Sequence, residues 1–178
     1  MSRNQPRKNI PPLDAERLEQ IALAYAGRYA TTRARLTTYL DRKLREKGWA
    51  GAEQPEVARL VERMSALGYV DDRAFAAARA ASLGRRGYGI ARVGQALHAA
   101  GIAEEDAGEA KVAAREGAWA SAVRFAERRK IGPFAVQEAD RPAREKALAA
   151  MLRAGHPLDL ARRLVSARPG MVPEPDDG

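Results

Sequence analysis

The sequence predicts an all-α protein, and three observations carry that prediction. Alanine is the commonest residue, 38 of 178, against 3 Phe and 2 Trp. Alanine is the best helix former and buries little area, so the chain reads as several thin helical bundles rather than one deep core. Apolar residues recur at three- and four-residue spacing behind good capping residues. No stretch alternates β-branched with polar residues, so no sheet is expected.

The elements follow in order. Asp14 is an N-cap, with Leu13 placed to staple onto Leu18. Leu18, Ile21, Ala22, Tyr25 and Ala26 then keep helical spacing. A second helix begins at Thr31 or Thr32 and carries Leu36, Leu40 and Leu44 on one face; the stretch from Gly48 to Gln54 ends it. Pro55 suits the first turn of a third helix, striped by Val57, Leu60, Val61, Met64 and Leu67 and closed by Gly68. Asp71 caps a fourth, which runs to about Leu83 with Val70 and Phe75 at the staple positions. The segment from Gly84 to Gly89 reads as a turn. A fifth helix starts near Gly89, buries Val93, Ala96 and Leu97, and stops at Gly101.

A sixth helix spans about Ala103 to Glu116, and its acidic first turn (Glu104, Glu105, Asp106) complements the helix dipole. Trp119, Ala122, Val123 and Ala126 mark a seventh, ending near Ile131 and Gly132. After the longest link, Gly132 to Arg141, Pro142 opens an eighth with Leu148, Met151 and Leu152 on one face, ended by Gly155. Pro157 opens a ninth with Leu160, Ala161 and Leu164.

Three of these helices share an outline. Leu36 and Leu40, Val93 and Leu97, and Leu160 and Leu164 are apolar pairs four residues apart, and four residues before each pair stand Thr32, Gly89 and His156. The copies are unequally spaced, so the pattern is not a regular solenoid. It predicts tandem three-helix units over residues 13–68, 69–117 and 118–168. Residues 1–12 are expected to be a disordered basic arm, and residues 169–178 a disordered acidic tail.

Composition also bounds function. The net charge is +8, and 25 of the 31 basic residues are Arg. Arginine forks match phosphate and carboxylate oxygens, so an anionic partner is expected. A coding bias toward Ala and Arg would leave the same composition. With no cysteine, disulfides and thiolate metal sites are excluded, which fits a reducing cytosol and predicts a cytoplasmic protein. No apolar run approaches the ~20 residues of a membrane span, so no membrane partner is expected.

The charges fall in patches. Arg79, Arg85, Arg86 and Arg92 stand without an acid between residues 79 and 92. Residues 27–49 hold Arg28, Arg33, Arg35, Arg42, Lys43, Arg45 and Lys47 against Asp41 and Glu46. A smaller cluster is Arg124, Arg128, Arg129 and Lys130, offset by Glu127. Of these, Arg35, Arg42, Lys43, Arg79, Arg85, Arg86, Arg92, Arg128, Arg129 and Lys130 are the candidate contacts for a protein or DNA partner.

Chemical readings fare worse. Gly84-Arg85-Arg86-Gly87-Tyr88-Gly89 lacks the spelling and the preceding strand of a phosphate loop, and reads instead as an interhelical turn displaying arginines. Capping accounts for Asp71, and the helix dipole for Asp72 in the first turn. His98 and His156 lie far apart without a ligand set. Tyr69 and Tyr88 read as turn anchors. No nucleophile–base pair is visible. The expectation is therefore a non-enzyme with no cofactor and no metal, whose function lies in a surface.

Gly68-Tyr69-Val70-Asp71-Asp72-Arg73-Ala74-Phe75-Ala76, Arg86-Gly87-Tyr88-Gly89, Leu97 and Gly101-Ile102 together resemble the central signature of the RecX family, regulators of the bacterial recombinase RecA. The resemblance extends forward through Trp119 and the segment Arg128-Arg129-Lys130-Ile131-Gly132. Backward it reaches the segment from Tyr29 to Leu36, so it covers about residues 13–168. It implies an elongated, curved chain of three tandem three-helix units, binding as a monomer in the groove of the RecA–DNA filament, against RecA and the single-stranded or duplex DNA within it. It also implies restraint of ATP hydrolysis, strand exchange and coprotease activity, in recombination, DNA repair and the SOS response. No catalytic residues carry over. Arg85, Arg86 and Arg92 fall inside the matching motif. Two places depart from the pattern: a lengthened link from Gly48 to Gln54, and a Pro-rich, less basic Arg153-Ala154-Gly155-His156-Pro157. Weak direct DNA binding is expected beside the filament contact, and the residues themselves also admit a stand-alone DNA-binding protein of helix-turn-helix type or a general helical scaffold.

Overall fold

The structure, a computed structural model, describes residues 11–175. Most of the predicted basic arm and the last three residues of the predicted acidic tail lie outside them. The described residues form nine α-helices and one 3₁₀ turn: α1 (Ala15–Arg28), α2 (Arg33–Lys47), α3 (Val57–Ala66), α4 (Asp72–Arg85), α5 (Ile90–His98), α6 (Glu104–Glu116), α7 (Ala118–Arg129), the turn (Gly132–Phe134), α8 (Arg141–Arg153) and α9 (Leu158–Ser166). The all-α expectation holds. The chain divides into two compact units, the first ending at Asp71 and the second running from Asp72.

In the first unit α1, α2 and α3 pack on one another around Leu13, Leu18, Leu36, Leu40, Val61, Met64 and Val70. Side-chain caps set two of the helix starts. Asp14 accepts from the Arg17 N–H at 2.8 Å, and Thr32 from the Arg35 N–H at 3.2 Å. Each cap contributes about 1 kcal/mol. Thr32 is fully buried, so its hydroxyl finds its partner in the helix end rather than in water. Leu13 does more than staple: it forms an isolated parallel bridge with Trp49, accepting from the Ala50 N–H and donating to the Gly48 carbonyl. Pro55 stands two residues ahead of α3 rather than in its first turn. Glu56 occupies the cap position there without a side-chain hydrogen bond. Gly68 closes α3 as expected, with φ +77° and the Tyr69 N–H on the Met64 carbonyl.

The second unit holds two core clusters. Helices α4, α5 and α6 surround Ala76, Ala80, Leu83, Val93, Leu97, Ile102 and Ala107. Helices α7, α8 and α9 surround Ala122, Phe125, Ala126, Met151, Ala161 and Leu164. The alanine-rich faces let the axes approach closely, which is why few large side chains suffice. Tyr88 packs against both clusters. Two details differ from the sequence reading. Helix α4 runs on through Gly84 to Arg85, and Asp72 in its first turn is buried at 5% exposure while Asp71 is exposed. In the long link the 3₁₀ turn seats Pro133, whose carbonyl accepts from the Gly170 N–H at 2.8 Å, so the terminal segment begins with a held turn.

Candidate functional site

The turn between α4 and α5 is a packed junction rather than a free display of arginines. Gly87 and Gly89 are buried and Tyr88 half-buried, while Arg85 and Arg86 are exposed. The Gly89 N–H donates to the Ala154 carbonyl at 2.9 Å, and the Ala91 N–H to the Gly155 carbonyl at 3.2 Å. Backbone therefore meets backbone where α5 begins and α8 ends. A Cβ on Gly89 would lie 2.2 Å from the Gly155 oxygen, and one on Gly155 would lie 2.4 Å from the Arg92 nitrogen. Only glycine permits that approach.

His156 sits beneath the junction, 4% exposed, with Nε2 3.1 Å from the Gly87 carbonyl oxygen and its ring 5.5 Å from Phe125. Burial pushes its pKa down, and the hydrogen bond to Gly87 only partly opposes that. The neutral ring donating from Nε2 is the form that fits. Above about pH 6.5 His156 is neutral whether the chain is folded or not. As pH falls from there toward the depressed folded value, the unfolded chain binds the proton first and stability is lost. Denaturant midpoints measured between pH 7.5 and about 5 are expected to fall less for His156→Gln than for the parent. Equal slopes would show that this histidine is not the group responsible.

Above the junction the arginines converge. An open pocket of about 490 Å³ is lined by Tyr88, Phe125, Arg128, Arg129, Ala150, Arg153 and Ala154, with no acidic residue. The guanidinium carbons of Arg86 and Arg92 lie 5.4 and 6.0 Å from the Tyr88 ring centre, and that of Arg129 lies 5.7 Å from Phe125. Arg128 donates to the Arg86 carbonyl, tying α7 to the turn. None of Arg86, Arg92, Arg128, Arg129 and Arg153 makes an ion pair among the described residues. Planar, always-charged forks over aromatic faces in a concavity without carboxylates suit phosphate or carboxylate oxygens.

The structure thus joins two sequence patches, bringing Arg86 and Arg92 together with Arg128 and Arg129. Arg79 and Arg85 are exposed along α4 and do not line the pocket. Lys130 is exposed, and its left-handed backbone (φ +54°) ends α7. Arg35, Arg42 and Lys43 belong to the first unit. There Glu46 takes up charge from its neighbours, with Lys43 at 2.6 Å and Arg42 at 3.7 Å. The hydrogen bond from Lys43 is the main cause holding the Glu46 carboxyl below its usual range. Arg153, Phe125 and the buried His156 are the parts of the site that sequence reasoning missed. The one signal was His156 standing where Thr32 and Gly89 stand in the repeat.

These helices and this pocket define an all-α, strongly basic protein with an arginine-lined concavity. No protein-family model matches the chain. It is similar to Regulatory protein RecX of Myxococcus xanthus (strain DK1622), 32% identical over 173 residues that span 93% of this chain and 90% of that one. The chain belongs to the RecX family of regulatory proteins. Among the described residues no helix is long and apolar enough to cross a membrane.

Proposed function

We propose that this chain binds the RecA–DNA filament in its groove and restrains RecA's ATP hydrolysis, strand exchange and coprotease activity. On this reading it serves recombination, DNA repair and SOS control as a cytoplasmic monomer that carries out no chemistry. The similarity to Regulatory protein RecX along nearly the whole chain carries the proposal. The pocket supports it. A filament groove offers DNA phosphates and protein carboxylates, and Arg86, Arg92, Arg128, Arg129 and Arg153 form a surface short of such oxygens. The three successive core clusters support a reading as three three-helix units, each making a weak contact. Linked weak contacts add through high effective concentration.

The test is a titration of RecA's DNA-dependent ATPase with the chain. Falling hydrolysis is expected. An unchanged rate, with tight sequence-selective DNA binding in the absence of RecA, would mark a stand-alone helix-turn-helix protein instead.

A further inference from the structure

The first unit carries an aromatic series, one member of which its folding does not explain. At the end of α1 and along α2, three tyrosines stand in series. Tyr25 and Tyr39 stack at 4.0 Å with planes 15° apart, and Tyr29 leans on Tyr25 at 5.3 Å. Tyr25 and Tyr39 are half-buried and pack against the core of the unit, which accounts for them. Tyr29 is different. It is 52% exposed at the position capping α1, where its backbone N–H, not its ring, meets the helix by donating to the Tyr25 carbonyl at 3.0 Å.

Cations surround the series. The Arg28 guanidinium carbon lies 5.8 Å from the Tyr29 ring centre. Arg42 and Lys43 lie 5.4 and 5.7 Å from that of Tyr39. Glu46 is shared between Arg42 and Lys43, so two cations divide one carboxylate, while Arg28 makes no ion pair among the described residues. An open aromatic ring flanked by cations is what an unpaired strand needs: a face for a base to stack on, and positive charge for the phosphates beside it. A duplex offers no such faces, because its bases are already stacked.

We infer that Tyr29, backed by the Tyr25–Tyr39 stack and flanked by Arg28, Arg42 and Lys43, is a stacking platform for the unpaired bases of a single-stranded nucleic acid. Recognition is sequence-tolerant, since every base has a π-face. The contact belongs to the first unit, uses none of the residues of the arginine pocket and does not require RecA, so it can hold or fail independently of the proposed regulation.

The full-length chain is tested without RecA, by fluorescence anisotropy of labelled oligothymidylate, oligouridylate and a duplex DNA, at low and physiological salt. Binding to both single strands is expected at low salt, weakening as salt rises. Tyr29→Ala lowers single-strand affinity about tenfold, the loss of one stacked base, while Tyr29→Phe, which keeps the ring, retains it. Duplex binding is the same in all three proteins. The exposure of Tyr29 leaves the core untouched in either variant, and circular dichroism verifies the fold. The inference is overturned if no single strand binds at low salt, if Tyr29→Ala binds as the parent does, if Tyr29→Phe loses as much as Tyr29→Ala, or if the alanine variant loses duplex binding equally.

Discussion

Replacing Arg129 and Arg153 together by glutamate is expected to raise the concentration needed for half-inhibition of RecA ATPase about 100-fold. Each arginine lines the acid-free pocket, and a hydrogen bond to a charged group contributes about 1.5–3 kcal/mol. Two lost contacts at the lower end of that range come to a factor of about 100. The substitution also plants two carboxylates where the pocket has none, so repulsion adds to the loss. The fold survives. Both side chains are exposed, and Arg153 contributes at most about 1 kcal/mol to α8 through the helix dipole. Arg128 is left in place because it ties α7 to the Arg86 carbonyl. Full inhibition by the folded double variant would mean that the pocket is not a main contact.

Gly89→Ala is expected to cost about 3 kcal/mol of stability, the upper end of the overpacking range. Its Cβ would fall 2.2 Å from the Gly155 oxygen. The colliding atom is backbone, held by the Gly89–Ala154 and Ala91–Gly155 hydrogen bonds, so the junction must open. Gly155→Ala adds a second penalty, because φ there is +90° and a left-handed non-glycine residue costs about 1–3 kcal/mol. Thermal unfolding followed through Trp119, which packs on the cluster around Phe125 and Met151, should shift down by about 10–20 °C for either variant. A shift of a degree or two would show that the junction yields cheaply.

Much of the fold was legible because its signals are local. Asp14 and Thr32 announce their helices a few residues ahead, and Gly68, Gly101 and Gly155 close theirs with positive φ. The apolar pairs Leu36 and Leu40, and Val93 and Leu97, fall in the core because helical periodicity alone puts them on one face. The errors are of two kinds: boundaries, with Pro55 ahead of α3 and Gly84 and Arg85 inside α4, where a glycine taken as the start of a turn is only a weak spot in a helix, and two residues expected on apolar stripes, Leu67 and Leu152, which are exposed.

The candidate site was half legible. Arg86, Arg92, Arg128 and Arg129 could be picked out because charge patches are read directly from the chain. That Arg86 and Arg92 stand over the same Tyr88 ring that lines the pocket of Arg128 and Arg129 could not, since the close approach of Gly89 and Gly155 joins segments far apart in sequence. Arg153 was passed over for the same reason. It stands alone among apolar neighbours in α8 and becomes part of a patch only after folding. The buried Asp72 and His156 show the same limit: burial is a property of what packs on a residue, and the residue's own neighbours in sequence do not state it.

The most direct test of the central claim is RecA's DNA-dependent ATP hydrolysis, measured as the chain is added up to amounts comparable with RecA. The rate is expected to fall progressively, by an effect that the Arg129→Glu, Arg153→Glu variant largely loses. A rate that stays flat across the titration, with the chain folded and the filament formed, would contradict regulation of RecA by this protein.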